Sequence, residues 1–296
     1  MNVRRLIRGV RVAADTVVSK GHTRRRGFLN RYRSTVGRND ATCIYLSLRL
    51  HPTSVYVGVD EAGKGPVLGP MIAAAVRADP ERLPANVDDS KRVTPARREV
   101  IAAELRDRRN VTVAVAAVEP AAIDAPGTDM NTLTVLAQAA AVRGVAEPND
   151  RVVADAGDTS EERFAGRLRD HATGDGDDLR AYVRVESTAG SFDGPIAEPV
   201  VGVDVAARHG ADADDPVVAA ASVVAKVARD ARMAAVDEAY PAYDGVGSGY
   251  PSDPATRRFL EAYAADHGDV PDCARRSWST CTDVLAAAEQ SGLDDF

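Results

Sequence analysis

A chain of 296 residues with 45% hydrophobic content is long enough to bury a full core, and no apolar stretch approaches the roughly 18 residues that span a bilayer, which excludes a helical membrane span. Three cysteines, Cys43, Cys273 and Cys281, form no C-x-x-C pair, which argues against a disulfide framework or a cysteine zinc site and for a reducing cytoplasm. The net charge of −7 divides unevenly: residues 1–54 carry twelve Lys and Arg against Asp15 and Asp40, a balance of +10, so the remainder carries −17.

Only four lysines occur: Lys20, Lys64, Lys91 and Lys226. An acidic body in which arginine replaces lysine suits a protein adapted to molar salt, where the Debye length falls to about 3 Å and acidic surfaces repel one another little. A halophilic source is therefore expected. Such a body does not bind nucleic acid through bulk charge, so any contact of that kind must be local.

In chain order, residues 1–53 are arginine-rich and weakly periodic, and are expected to be a disordered basic extension. No apolar core follows the basic start, so a secretory signal is not expected. Regular patterning begins at residue 55. Val55 to Val59 reads as a buried strand and Met71 to Val76 as a second. Thr94 and Pro95 open a helix through Arg106, and Val111 to Val118 is a strand. A helix from about Asn131 to Gly144 precedes a short strand, Arg151 to Ala154, that ends at Asp155. Ser160 caps another helix. The Gly- and Asp-rich stretch at 173–178 reads as a loop within an acidic surface insertion over about 170–199. Asp175, Asp177 and Asp178 resemble a calcium loop only superficially, since no glutamate follows at the needed spacing. Strands are expected at 180–186 and 200–207, of which the second is favoured for the main sheet. Helices follow from Val217 to Ala239, after Asp253-Pro254, and from Thr280 to Glu289. This order indicates an α/β domain over 54–235 with a helical C-terminal region over 236–296.

The chemistry begins where the first strand ends, at Gly58-Val59-Asp60-Glu61-Ala62-Gly63-Lys64-Gly65-Pro66. Two acids buried without partners would cost several kcal/mol each, so they belong at a rim beside positive charge. The segment nearly matches the phosphate loop G-x-x-x-x-G-K-[ST]. Gly65 replaces the hydroxyl, however, a strand follows instead of a helix, and Asp60 and Glu61 would repel phosphates. Asp155 at the end of a strand and Asp212 just before a helix are, singly, no more than caps or loop acids. Together with Asp60 and Glu61 they form an oxygen donor set for Mg²⁺ or Mn²⁺. Two such ions can clamp an in-line phosphoryl displacement.

These segments resemble ribonuclease HII, the type 2 ribonuclease H family. Further matches are Val67-Leu68-Gly69-Pro70, Asp89-Ser90-Lys91, Ala211-Asp212, Ala220 to Lys226, Gly247 to Pro254 and Arg276-Ser277-Trp278, covering about residues 55–288. The resemblance implies a ribonuclease H-like mixed sheet flanked by helices. It also implies cleavage of RNA paired to DNA, incision beside ribonucleotides embedded in DNA, and Asp60, Glu61, Asp155 and Asp212 as both catalytic and metal-binding acids. Gly63, Lys64, Gly65 and Tyr250 would bind substrate, with Tyr250 against the sugar. Lys226 would pair with a phosphate or a carboxylate, unless it is a solvated helix lysine. His209 is expected to be structural and Trp278 to serve packing. Lys64 departs from the family's usual arginine, which makes ribonuclease HIII the nearest alternative. An inactive nucleic-acid-binding relative is a second alternative, against which the four acids speak. A monomer is expected. The tail Gln290 to Phe296 has a single aromatic, so no strong clamp-binding peptide is expected.

Overall fold

The computed structural model describes residues 55–84, 87, 94–186 and 190–294, with side chains described up to residue 290. The basic extension, the Asp89-Ser90-Lys91 segment and the end of the tail lie outside the described residues.

Strand β1 (Tyr56–Ala62) is buried along its middle because both of its edges are paired: it runs antiparallel to β2 (Met71–Ala78) and parallel to β4 (Arg151–Asp155). Helix α1 (Pro95–Asp107) follows β2, with the Thr94 hydroxyl accepting from the Arg97 amide as its N-cap. Strand β3 (Thr112–Val118) pairs antiparallel with β2. A short α2 (Pro120–Ile123) leads to α3 (Met130–Val145), whose cap, Asp129, accepts from the Asn131 and Thr132 amides. After β4 come α4 (Glu161–Thr173), α5 (Asp177–Tyr182), β5 (Arg184–Val185) and β6 (Asp204–Arg208). Then follow α6 (Ala211–Asp214), α7 (Pro216–Ala239), α8 (Pro254–His267) and α9 (Ser279–Asp294). Among the described residues no helix is long and apolar enough to cross a membrane.

The mixed sheet runs β5-β3-β2-β1-β4-β6. The continuous apolar run of β2 reflects burial on both faces. Met71, Ala73 and Ala75 face α3 and α4, where Leu133, Leu136, Phe164 and Leu168 complete one core. Ile72, Ala74 and Val76 face α1 and α7 and join Ile101, Leu105 and Val217 in a second. Helices α8 and α9 dock on the loop after β1, where Val67 and Leu68 pack with Phe259 and Leu260.

Two expectations change. The strands expected at 180–186 and 200–207 do not compete: each joins the sheet, as β5 and β6, at opposite edges. The stretch expected to be an acidic surface loop contains α5 and β5. The reason is tertiary: the buried Arg143 guanidinium of α3 donates to the carbonyls of His171, Gly174 and Ala197, and Leu179 is fully buried. Asp177 and Asp178 then lie in the first turn of α5, where the helix dipole favours acids.

Candidate active site

Strand alternation sets the site. Asp60 and Glu61 are consecutive on β1, so their side chains leave opposite faces of the sheet. Asp60 turns toward α7 and accepts a hydrogen bond from the buried Ser222 side chain. Glu61 turns toward α3, where the Gln138 amide donates to its Oε2 at 2.7 Å. Asp155 ends β4, the parallel neighbour of β1. The register continues to β6, with Asp155 opposite Arg208, and the chain then turns through His209 and Gly210 into α6. The Ala211 amide donates to Asp155 Oδ1 at 3.2 Å, which draws Asp212 alongside.

One carboxylate oxygen each from Asp60, Asp155 and Asp212 lie within 4.8 Å of one another, and Asp60 and Asp212 are each only 4% exposed. Glu61 flanks this cluster and is not one of the three. Burial, and then the charge of Glu61, holds the Asp60 carboxyl well above the usual range, against the bond from Ser222. Burial lifts Glu61 to about 7, opposed by the Gln138 bond and the Lys64 charge. Clustered, partly buried carboxylates, with Asp60 and Glu61 held high in pKa and oxygen donors only, fit a hard divalent cation. Asp60, Asp155 and Asp212 would hold it, with Glu61 beside them. A bound Mn²⁺ or Mg²⁺ supplies the charge that activates water and steadies a departing oxygen.

The sign of a stability effect follows from Glu61. Its carboxyl keeps a proton up to about pH 7 when folded but only to about 4.5 otherwise. The stability this contributes is complete below 4.5 and lost as pH rises to 7. Metal-free Glu61→Gln should therefore gain more in melting temperature over wild type at pH 8 than at pH 4.5. Melts in chelator at both pH values check this, and an equal gain at both would rule out the raised carboxyl.

Beside the acids opens a cleft of about 470 Å³ lined by Glu61, the Gly63-Lys64-Gly65 loop, Arg98, Lys226 and Tyr250. Gly63 has φ +84°, and a Cβ there would lie 2.6 Å from the Arg229 side chain, so only glycine fits. The fully buried Arg275 donates to the carbonyls of Gly63 at 2.6 Å and Lys64 at 2.9 Å, and the Trp278 indole donates to Gly65 at 3.4 Å. Burial lowers Arg275 only to about 10, so it stays charged at neutral pH. The Tyr250 ring, 42% exposed, lies across the cleft: a Cβ on Gly65 would sit 3.8 Å from it. The Arg229 guanidinium stands 5.5 Å from the ring centroid.

Lys64 does not extend into solvent: its ammonium donates to Asn131 Oδ1 at 2.9 Å and to the Gly157 carbonyl. Lys226 donates to Ser222 at 2.5 Å and so reaches Asp60 through one hydroxyl. His209 has both ring nitrogens engaged, by the Asp158 carbonyl at 2.7 Å and the Glu161 carboxylate at 2.9 Å. The carbonyl contact first, then Glu161, raises its pKa. It clasps the loops after β4 and β6. Trp278 is half-buried against Arg275, as a packing residue would be.

Sequence reasoning missed Asn131, Gln138, Ser222, Arg229 and Arg275. A signal existed for two of them. Asn131 and Gln138 are seven residues apart on an alanine-rich helix, hence on one face, and that face meets the site. Arg275 carried none, because its partners lie more than 200 positions away.

The description "Ribonuclease HII" belongs to the family model that matches residues 57–281. The chain belongs to this family. A ribonuclease HII of the halophilic archaeon Haloarcula marismortui is 50% identical over 239 residues, covering 81% of this chain and 99% of its own. The ribonuclease H2 structure from Pyrococcus horikoshii is 30% identical with a TM-score of 0.62, covering 79% and 98% of the two chains. The Archaeoglobus fulgidus ribonuclease HII, solved in complex with PCNA, is 31% identical with a TM-score of 0.61, covering 81% and 99%. This ribonuclease HII family member is a metal-dependent endoribonuclease of the ribonuclease H type, and the ribonuclease HIII alternative is not favoured. Its relatives' halophilic sources agree with its acidic, lysine-poor composition.

Proposed function

We propose that the chain cuts the RNA strand of RNA–DNA hybrids and incises DNA beside embedded ribonucleotides, with Asp60, Glu61, Asp155 and Asp212 holding two divalent ions, Mn²⁺ or Mg²⁺. The observation that carries this is the convergence of three carboxylates at the ends of β1 and β4 and the start of α6, beside the cleft of Gly63, Gly65 and Tyr250. Residues 54–235 form the catalytic unit and 236–296 the helical region that seats its glycine loop. The first 53 residues stand outside the chemistry. The protein works as a cytoplasmic monomer. Cys273 and Cys281 are free thiols, in keeping with a reducing compartment. The test is a DNA duplex with a single ribonucleotide, alongside a continuous hybrid, incubated with Mn²⁺ or Mg²⁺ in high salt. Cleavage of both substrates is expected, and an intact ribonucleotide duplex beside a cleaved hybrid would remove the incision activity.

Metal-bound carboxylates recognise phosphate, which RNA and DNA share, so discrimination must read the 2′-hydroxyl. Tyr250 and the Gly63-Lys64-Gly65 loop form the two walls that meet the sugar, with the Tyr250 ring favouring a deoxyribose on the 3′ side of the cut. Tyr250→Ala should lower incision at an RNA-to-DNA junction by one or more orders of magnitude, about 1.4 kcal/mol for each tenfold. Tyr250→Phe should lose less, and both should keep metal affinity. Wild-type junction rates in Tyr250→Ala would reduce this tyrosine to a loop residue.

A further inference from the structure

Gln138 is a polar residue in the middle of α3, between Ala137 and Ala139, and its side chain is fully buried. Its Nε2 donates to Glu61 Oε2 at 2.7 Å and to the Asp155 carbonyl at 3.1 Å. Its Oε1 is buried with no hydrogen-bond partner among the described residues. The unsatisfied oxygen is a cost that an apolar side chain of the same size would not carry. Packing therefore does not explain the residue. Its two bonds grip the side chain of one acid and the main chain of another, so they join the end of β1 to the end of β4. Glu61 is also the acid with most need of such a grip. It stands outside the three-carboxylate cluster, and it has one more rotatable bond than an aspartate to immobilise.

We infer that Gln138 is a positioning residue for the metal site: it holds the Glu61 carboxylate in one orientation, by Oε2, and fixes its spacing from Asp155. This rests on Glu61 acting as a metal-binding acid, as proposed above. Carboxylates that bind metals depend on such hydrogen-bonded supports, and loss of one costs about tenfold to a hundredfold in metal affinity or activity. The amide does so without adding charge, which matters because Glu61 already sits beside Asp60 and Asp155.

The test uses the full chain with Gln138→Met, which keeps the volume and removes the donor, and Gln138→Leu as a second apolar variant. Mn²⁺ affinity is read by calorimetry at fixed salt and folding by thermal melts. Both variants should fold but melt below wild type at neutral pH, because Glu61 Oε2 and the Asp155 carbonyl lose their donor, and they should bind Mn²⁺ about tenfold to a hundredfold more weakly. In a Glu61→Gln background, Gln138→Met should add little further loss, because its effect runs through that carboxylate. Wild-type Mn²⁺ affinity in folded Gln138→Met overturns the inference. So do additive losses in the double variant, or failure of both apolar variants to fold. If Glu61→Gln alone leaves Mn²⁺ affinity unchanged, the metal-binding reading of Glu61 itself fails, and that result is distinct from a normal Gln138→Met beside a weakened Glu61→Gln.

Discussion

Gly58→Ala should destabilise the protein by about 3 kcal/mol or more, at or beyond the upper end of the range for overpacking. Gly58 lies mid-strand in β1, directly beneath the first turn of α7. A Cβ there would sit 2.5 Å from the Val218 nitrogen and 2.6 Å from the Val217 carbonyl oxygen. Both are backbone atoms, so no side chain can swing aside, and α7 would have to lift off the sheet. That helix start also carries the Asp215 cap, which accepts from the Val217 and Val218 amides and from the Tyr56 hydroxyl. Further along, α7 carries Ser222 against Asp60. Lifting it should therefore cost activity as well as stability. Against a total stability of about 5–15 kcal/mol, the loss is large enough to see directly in a denaturant midpoint. Gly166→Ala in α4 is the contrast. Nothing lies within 4 Å of a Cβ there, so the change should stabilise by about 0.5–1 kcal/mol through helix propensity. Equal midpoints for Gly58→Ala and wild type would show that α7 does not cross β1 this closely.

Asp60→Asn should lower cleavage by roughly a thousandfold or more, about 4 kcal/mol in the barrier. Asparagine keeps the shape and one oxygen but loses the charge that a hard cation requires. The fold should survive. Burial and the neighbouring Glu61 already hold the Asp60 carboxyl well above its usual range, so the charged form is costly without metal. A neutral amide relieves that cost, and the metal-free variant should melt at or above the wild-type temperature near pH 8. Mn²⁺ affinity should fall together with the rate. Single-turnover cleavage and calorimetry on one preparation separate this from unfolding, and a wild-type rate would remove Asp60 from the metal site.

Much of the architecture was legible in local pattern. Strands β1 and β2 and helices α1, α3, α4, α7 and α8 follow from runs of buried residues and from caps at Thr94, Ser160 and Asp253, all of which act within a few residues of themselves. The acids were legible too, because the motif around Asp60 is contiguous, while Asp155 and Asp212 gain weight only beside it. What local pattern does not carry is contact across long separations. Gly58 opens the near-match to a phosphate loop, and nothing around it in the sequence shows that its neighbour is the backbone of α7, about 160 positions away. Helix α5 looked like an acidic loop until Arg143 gathered its flanking carbonyls. The two later strands looked like rivals because nothing in either reveals that the sheet has a vacant edge beside β3 and another beside β4. Lys64 was expected to meet substrate, and only the tertiary structure shows that its ammonium also meets Asn131 and the Gly157 carbonyl. Periodicity and short-range hydrogen bonding were enough to place most of the longer elements and to point to Asp60, Asp155 and Asp212, which the fold brings together. Which helix grips each acid, α7 for Asp60 and α3 for Glu61, depends on groups that meet only after the sheet has closed against both helices.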